Sequence, residues 1–320
     1  MSTSSEAHGC LSKKPDLFGR FVSLSQSFSN EGDLVVDGNG TYIVENCEYH
    51  LIGSIIVQDN ATLTIRNAIF NQTCEDNRES IVVKDRGRLT VTNVTLAMSQ
   101  NSSSIIMVQN EATFDMINSN VTNSKSEVYV WIRGNSIAYI ENSEMRSFIE
   151  PKLITQDYSK ATIKDSTLGR VVIWKDSEVF IEGSVINGAL RTWGSSRVHV
   201  SGSIIGSVTA YGNLTLYIQN SIIEGDVTDG LNCDVWLVNT SAQNVSVSGD
   251  SRVWLIDTSV TAFHEHGNAT VFVGWDLPLF GPIAFHHTLV PVIRLVALLS
   301  VGAAVGVVLF VVIRKLWKRR

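Results

Sequence analysis

ATIKDSTLG (residues 161–169), VFIEGSVING (179–188), VHVSGSIIG (198–206), LYIQNSIIEG (216–225), VWLVNTSAQ (235–243) and VWLIDTSVT (253–261) are six versions of one phrase. Each reads apolar, x, apolar, x, then Asn, Asp or Gly, then Ser or Thr, with an apolar residue two places further on. The markers are Asp165, Gly183, Gly202, Asn220, Asn239 and Asp257, spaced 18 or 19 residues apart. Asn46, Asn67, Asn93, Asn118 and Asn142 extend the frame backwards at spacings of 21 to 26. A repeat this short cannot bury its own apolar residues, so copies must stack and share a core. The chain is a solenoid.

Counting from each marker, positions −4 and −2 are apolar in nearly every repeat, as in Leu63 and Ile65 or Val253 and Leu255. Positions −12 and −10 alternate in the same way (Ile55 and Val57, Val171 and Ile173), and position +3 is apolar again (Phe70, Leu168, Ile223). Alternation over short runs is the strand signal, and three runs give three strands per coil. The marker corner uses only residues that tolerate positive φ. A second corner is expected at −7/−6, where Asn60-Ala61, Asp176-Ser177 and Asp250-Ser251 offer turn chemistry. The third corner carries Gly169, Gly188, Gly206 and Gly225 in the short repeats, and polar loops at 71–80, 97–104, 122–127 and 146–152 in the early ones. Such an edge is a common binding site in repeat proteins.

The pattern over residues 38–277 resembles the right-handed parallel β-helix of the pectin-lyase-like superfamily. That resemblance implies an all-β, single-stranded solenoid of about 11 to 12 rungs, roughly 58 Å long at ~4.8 Å per rung. It also implies that the Asn/Asp/Gly markers form a turn ladder with amides bonded from coil to coil. Polysaccharide-cleaving relatives carry acids on outward positions of neighbouring rungs, but the hydrolase motifs NTD, DD, GHG and RIK do not occur in this sequence. Asp226 and Asp229 are the nearest acidic pair and read as corner residues. Neither catalytic residues nor a cofactor are expected. His264 and His266 alternate in a way that suits a metal, against the plainer reading of a polar terminal coil.

Residues 1–37 are expected to form a polar N-terminal segment or cap, and 278–294 a juxtamembrane segment. Leu295 to Ile313 is an uncharged stretch about 28 Å long as a helix, enough to cross a bilayer. Residues 314–320 add five basic residues against Arg294 on the other side, which places the C-terminus in the cytoplasm and the solenoid outside. No apolar run of signal-peptide length precedes the repeats, so the route of export is not visible. Gly302 and Gly306 form a GxxxG, a candidate homodimer seam. With this span the chain is similar to membrane-anchored prokaryotic surface proteins of archaeal type.

The charges agree. Residues 1–293 hold 19 basic against 31 acidic residues, a net −12, which argues against nucleic-acid binding. Sequons at Asn39, Asn60, Asn71, Asn101, Asn120, Asn213, Asn244 and Asn268 are glycosylation candidates, whereas those at Asn93 and Asn239 fall in the marker ladder. Cys47 and Cys74 lie one rung apart, close enough for a disulfide that the sequence does not settle, and Cys233 reads as a small core residue.

The outward position −3 holds Tyr139, Thr162, Phe180, His199, Tyr217, Trp236 and Trp254, and position −9 holds Trp174, Trp193 and Tyr211. Stacked coils turn these into aromatic stripes that either present rings to glycans or envelope proteins or stabilise the sheet by ladder contacts. The expected function is a surface-anchored binding or scaffold rod. The alternatives are a polysaccharide lyase or hydrolase, and a polymerising membrane-associated rod similar to bactofilins.

Overall fold

The computed structural model describes residues 11–12, 27–74, 79–99, 103–147, 149–274 and 283–285. They form an all-β parallel solenoid of about eleven turns. Among the described residues there is no helix long and apolar enough to cross a membrane; the stretch 295–313, with Gly302 and Gly306, lies outside them.

Each coil contributes to three parallel stacks. The front sheet runs from Thr41–Glu45 through Arg197–Ser201 to Thr270–Gly274, every strand paired in parallel with the next coil. The flank sheet begins with Ser27–Glu31 on Glu48–Ile52, and the back sheet with Leu34–Val36 on Ile55–Val57. Positions −4, −2, +3, −12 and −10 point inward and build one continuous core from Leu34 to Val271. Tyr49 and Phe70 stack inside it at 5.0 Å, the interior counterpart of the outer ladders.

The corner rule holds along the whole rod. All eleven markers, Asn46 to Asp257, adopt left-handed φ between 46° and 58°. The amide ladder expected there is real but partial: Asn93 donates to Asn67 at 3.0 Å and Asn239 to Asn220 at 2.9 Å. Gly183 and Gly202 interrupt the side-chain ladder but keep the backbone bond of the other markers, their N–H donating to a carbonyl of the next coil at 3.0 and 3.1 Å as that of Asn220 does at 3.0 Å.

The residue after the marker matters more than its sequence suggests. Ser119, Ser143, Ser166, Ser184, Ser203 and Ser221 are all buried. The hydroxyl of each accepts the N–H of the equivalent residue in the preceding coil, from Val94 to Ser203, always at 3.1 Å. Each then donates to the carbonyl two residues before itself, at 2.6 to 2.8 Å. A backbone that kinks into the left-handed region leaves the parallel ladder, and its buried N–H would otherwise be orphaned at a cost of ~1–3 kcal/mol. The serine column meets that need.

The second corner sits one residue earlier than the turn chemistry at −7/−6 suggests. The left-handed residues occupy −8, from Gly38 and Asp59 through Gly134 and Gly212 to Gly267. The Asn and Asp side chains at −7 serve a different purpose: Asn60 donates to Asn39 at 2.9 Å, Asn232 to Asn213 at 3.0 Å and Asn268 to Asp250 at 3.2 Å. They are cross-coil hydrogen bonders rather than backbone turners. The glycines of the third corner are needed because coils touch there. A Cβ on Gly206 would lie 2.6 Å from the Gly188 carbonyl oxygen, and one on Gly225 2.7 Å from that of Gly206.

The two ends of the front sheet are closed by strands running the other way. Leu11–Ser12 pairs antiparallel with Thr41–Glu45, and Ile283–Phe285 antiparallel with Thr270–Gly274. Cys47 is disulfide-bonded, while Cys74 and Cys233 each keep a buried thiol, so Cys47 and Cys74 do not pair. Cys233 takes a place in a buried serine column (Ser177, Ser196, Ser251), where its thiol lies 3.0 Å from the Gly230 carbonyl.

Two neighbouring glycines separate these constraints. Gly202→Asn should leave the thermal midpoint nearly unchanged, because Asn already fills that backbone conformation in seven other coils. Gly206→Ala should destabilise by more than about 2 kcal/mol, since its Cβ meets backbone that has no room to move. Denaturant titration of the two variants measures the difference.

Candidate functional site

The outward side chains fall into columns, and ring geometry divides them. On the front sheet the register aligns Tyr139, Thr162, Phe180, His199, Tyr217, Trp236 and Trp254 as one column, which continues to Phe272. Phe180 stacks on His199 at 5.2 Å and 11°, Trp236 on Trp254 at 4.3 Å and 4°, and Trp254 on Phe272 at 5.0 Å and 9°. Parallel stacking covers ring faces and shows edges to solvent. Each pair adds ~0.5–1.5 kcal/mol beyond its buried area, so these rings brace successive coils. Tyr139 stands apart at the charged end, its phenol raised by the hydrogen bond to Glu141.

The back-sheet column behaves differently. Trp174 and Trp193 meet edge to face, 6.1 Å apart at 76°, which leaves indole faces uncovered. With Lys175 and Gly194 they line a cleft of about 410 Å³. Tyr211, next in register, lies across Gly230, where a Cβ would come within 2.7 Å of its ring. Trp174 is 40 % exposed.

The backbone beside this column is unusual. Twelve residues at position −8 are left-handed, and ten of them are Asp, Asn or Gly. The other two are Lys175, at φ 58°, and Leu231, at φ 72°. They flank the aromatic column at its two ends, each at a cost of ~1–2 kcal/mol relative to glycine. Lys175 reaches Asp157 of the preceding coil at 2.6 Å, while Leu231 stands 62 % exposed. Both strained residues thus lie beside the column that holds the open rings. Sequence alone hid it, because the corner was placed at −7/−6, and Lys175 and Leu231 then looked like ordinary loop residues.

The acidic pair separates across the wall. Asp226 faces solvent and accepts from Asn244 at 2.6 Å, whereas Asp229 is buried. Asp229 Oδ1 accepts the Ser248 N–H at 3.1 Å, and its Oδ2 is buried with no hydrogen-bond partner. Thr155 and Thr192, lower in the same inward column, also bury hydroxyls without partners. Burial pushes the Asp229 carboxyl up to about 7 and the nearby Cys233 thiol up to about 11. No joint acid–base arrangement of Asp226 and Asp229 exists, since they lie on opposite faces.

His264 and His266 are exposed at the last coil. Among the described residues no group of three or more His, Cys, Asp or Glu side chains is placed to hold a metal ion. Of the sequons, Asn60, Asn71, Asn244 and Asn268 donate their amide nitrogens across coils. Asn39 and Asn213 accept through their oxygens, Asn120 is exposed, and Asn101 lies outside the described residues.

Comparison with protein-family models, curated proteins and solved structures matches this chain to none of them. Fold and surface geometry therefore carry the functional reading.

Asp229 gives a pH test. Its folded value of about 7 lies above the ordinary 3.8, so the fold favours the neutral carboxyl. Its contribution is intact below about pH 4 and is lost progressively as pH rises to about 7, on the order of 4 kcal/mol in full. Asp229→Asn should raise the thermal midpoint at pH 8 by several degrees and leave it unchanged at pH 4, as read by calorimetry at both pH values.

Proposed function

We propose that this protein is a single-span, membrane-anchored rod that binds or scaffolds glycans or envelope proteins outside the cell. The coil is read as right-handed, the sense in which parallel strands connect. The observation that carries the binding reading is the Trp174–Trp193 cleft, whose uncovered indole faces and rim pair Lys175–Asp157 suit a ligand with an apolar ring face and polar edges, as a sugar has. Three features support the outside placement: the basic residues after Ile313, the sequons, and the disulfide at Cys47, a bond of oxidising compartments. Glycosylation is part of the same proposal.

A polysaccharide-cleaving enzyme is the weaker reading, because the acidic pair Asp226 and Asp229 is separated by the wall of the solenoid. A bactofilin-like polymer is disfavoured by the antiparallel strands that cover part of each end of the front sheet and reduce the free edge for end-to-end growth.

Protease added to intact cells should digest the solenoid and spare the C-terminal tail; a protected solenoid refutes the outside placement. In a glycan-binding screen of the full chain, Trp174→Ala and Trp193→Ala should each weaken a bound glycan by about tenfold or more. Trp236→Phe and Trp254→Phe, which keep the front stack, should leave it unchanged.

A further inference from the structure

The outward face of the front sheet changes character along the rod. The strand Lys160–Lys164 presents Lys160, Thr162 and Lys164, and the next, Glu178–Glu182, presents Glu178, Phe180 and Glu182. Two coils later the face is Thr215, Tyr217 and Gln219. The last three coils present Trp236 with Val238, Trp254 with Ile256, and Phe272 with Gly274. Their only charges are Asp234 and Arg252, which neutralise each other through two hydrogen bonds of 2.7 and 2.5 Å. The Arg252 guanidinium also lies 5.6 Å from the Trp254 ring centre. The front face thus ends in an aromatic patch with no net charge.

This patch lies at the end from which the apolar stretch departs. The chain folds back after Gly274, so that Phe285 pairs opposite Val271. Only residues 286–294 separate that strand from Leu295, a reach of about 30 Å even when fully extended. A span starting there keeps the last coils within about that distance of the bilayer, close enough to touch its surface. Tryptophan and phenylalanine at headgroup depth, with a paired arginine among them, are the side chains that settle in this layer.

We propose that the front face of the last three coils, centred on Trp236, Trp254 and Phe272, docks into the headgroup layer of the membrane and tilts the rod onto its surface. The inference rests on the reading of 295–313 as a membrane span. Its partner is the lipid surface itself, while the Trp174–Trp193 cleft, farther up the rod, stays in water.

The test uses the unaltered full chain reconstituted in phosphatidylcholine vesicles that contain a phosphatidylcholine with a photoactivatable diazirine beside its glycerol backbone. After illumination, mass spectrometry of peptides locates the lipid adducts. Peptides containing Trp254 and Phe272 should carry adducts at about fivefold or more the yield of the peptide containing Trp174. Adducts confined to 286–320, with the chain resisting alkaline extraction, overturn the docking and leave the span standing. Release of the chain by alkaline wash overturns both. A second arm compares Trp236→Ser/Trp254→Ser with Trp236→Phe/Trp254→Phe: the serine pair should lose the adducts at Phe272 and the phenylalanine pair should keep them. Equal adduct yields from the two pairs overturn the proposal.

Discussion

The solenoid depends on one backbone requirement. At each marker the chain must turn out of a parallel ladder in a left-handed conformation, and the next N–H must be satisfied inside the core. Asn, Asp and Gly supply the conformation at every marker, and in the coils from Ser119 to Ser221 the buried serine that follows supplies the acceptor. A left-handed corner with an orphaned N–H costs as much as a lost hydrogen bond, and a serine without the kink has no amide to receive. Because each hydroxyl also donates to its own coil, the column ties the corners from Val94 to Ser221 together, each to the one before it.

Once the corners are set, the outer surface follows by register. Every outward position becomes a column, so any residue type that recurs in the repeat becomes a ladder. For amides the result is a run of cross-coil hydrogen bonds. For aromatic side chains it is a run of ring contacts, stacked at Phe180–His199 and from Trp236 to Phe272 and tilted at His199–Tyr217. Stacking is thus the default for repeated rings, and the departure is informative. Trp174 and Trp193 depart from it, and the backbone beside their column accepts Lys175 and Leu231 where glycine would be easier.

The two aromatic columns have separate physical roles. Along the front sheet, ring contacts brace the coils while the flanking positions shift from charged to apolar towards the C-terminal end. Along the back sheet, Trp174 and Trp193 border an open cleft on the outer surface. Asp229 marks the limit of the core's tolerance, a carboxyl whose titration burial pushes up to about 7. At position −8 the two residues that are neither Asx nor glycine, Lys175 and Leu231, both fall beside the back-sheet column.

The spacing of Asn46 to Asp257 and the alternation at −4, −2, −12 and −10 determined the solenoid, its inward residues and the alignment of the aromatic columns, because a short repeat has no other way to bury its apolar side chains. Sequence placed the marker corner correctly and the second corner one residue late, since Asn and Asp at −7 look like turn formers whether they bend the backbone or hydrogen-bond across coils. It could not show the role of Ser119 to Ser221, because a serine's value there comes from an amide 18 to 25 residues away. Nor could it tell stacked rings from open ones: Trp236 and Trp193 are equivalent as letters, and only the torsions chosen by packing decide which indole keeps a free face.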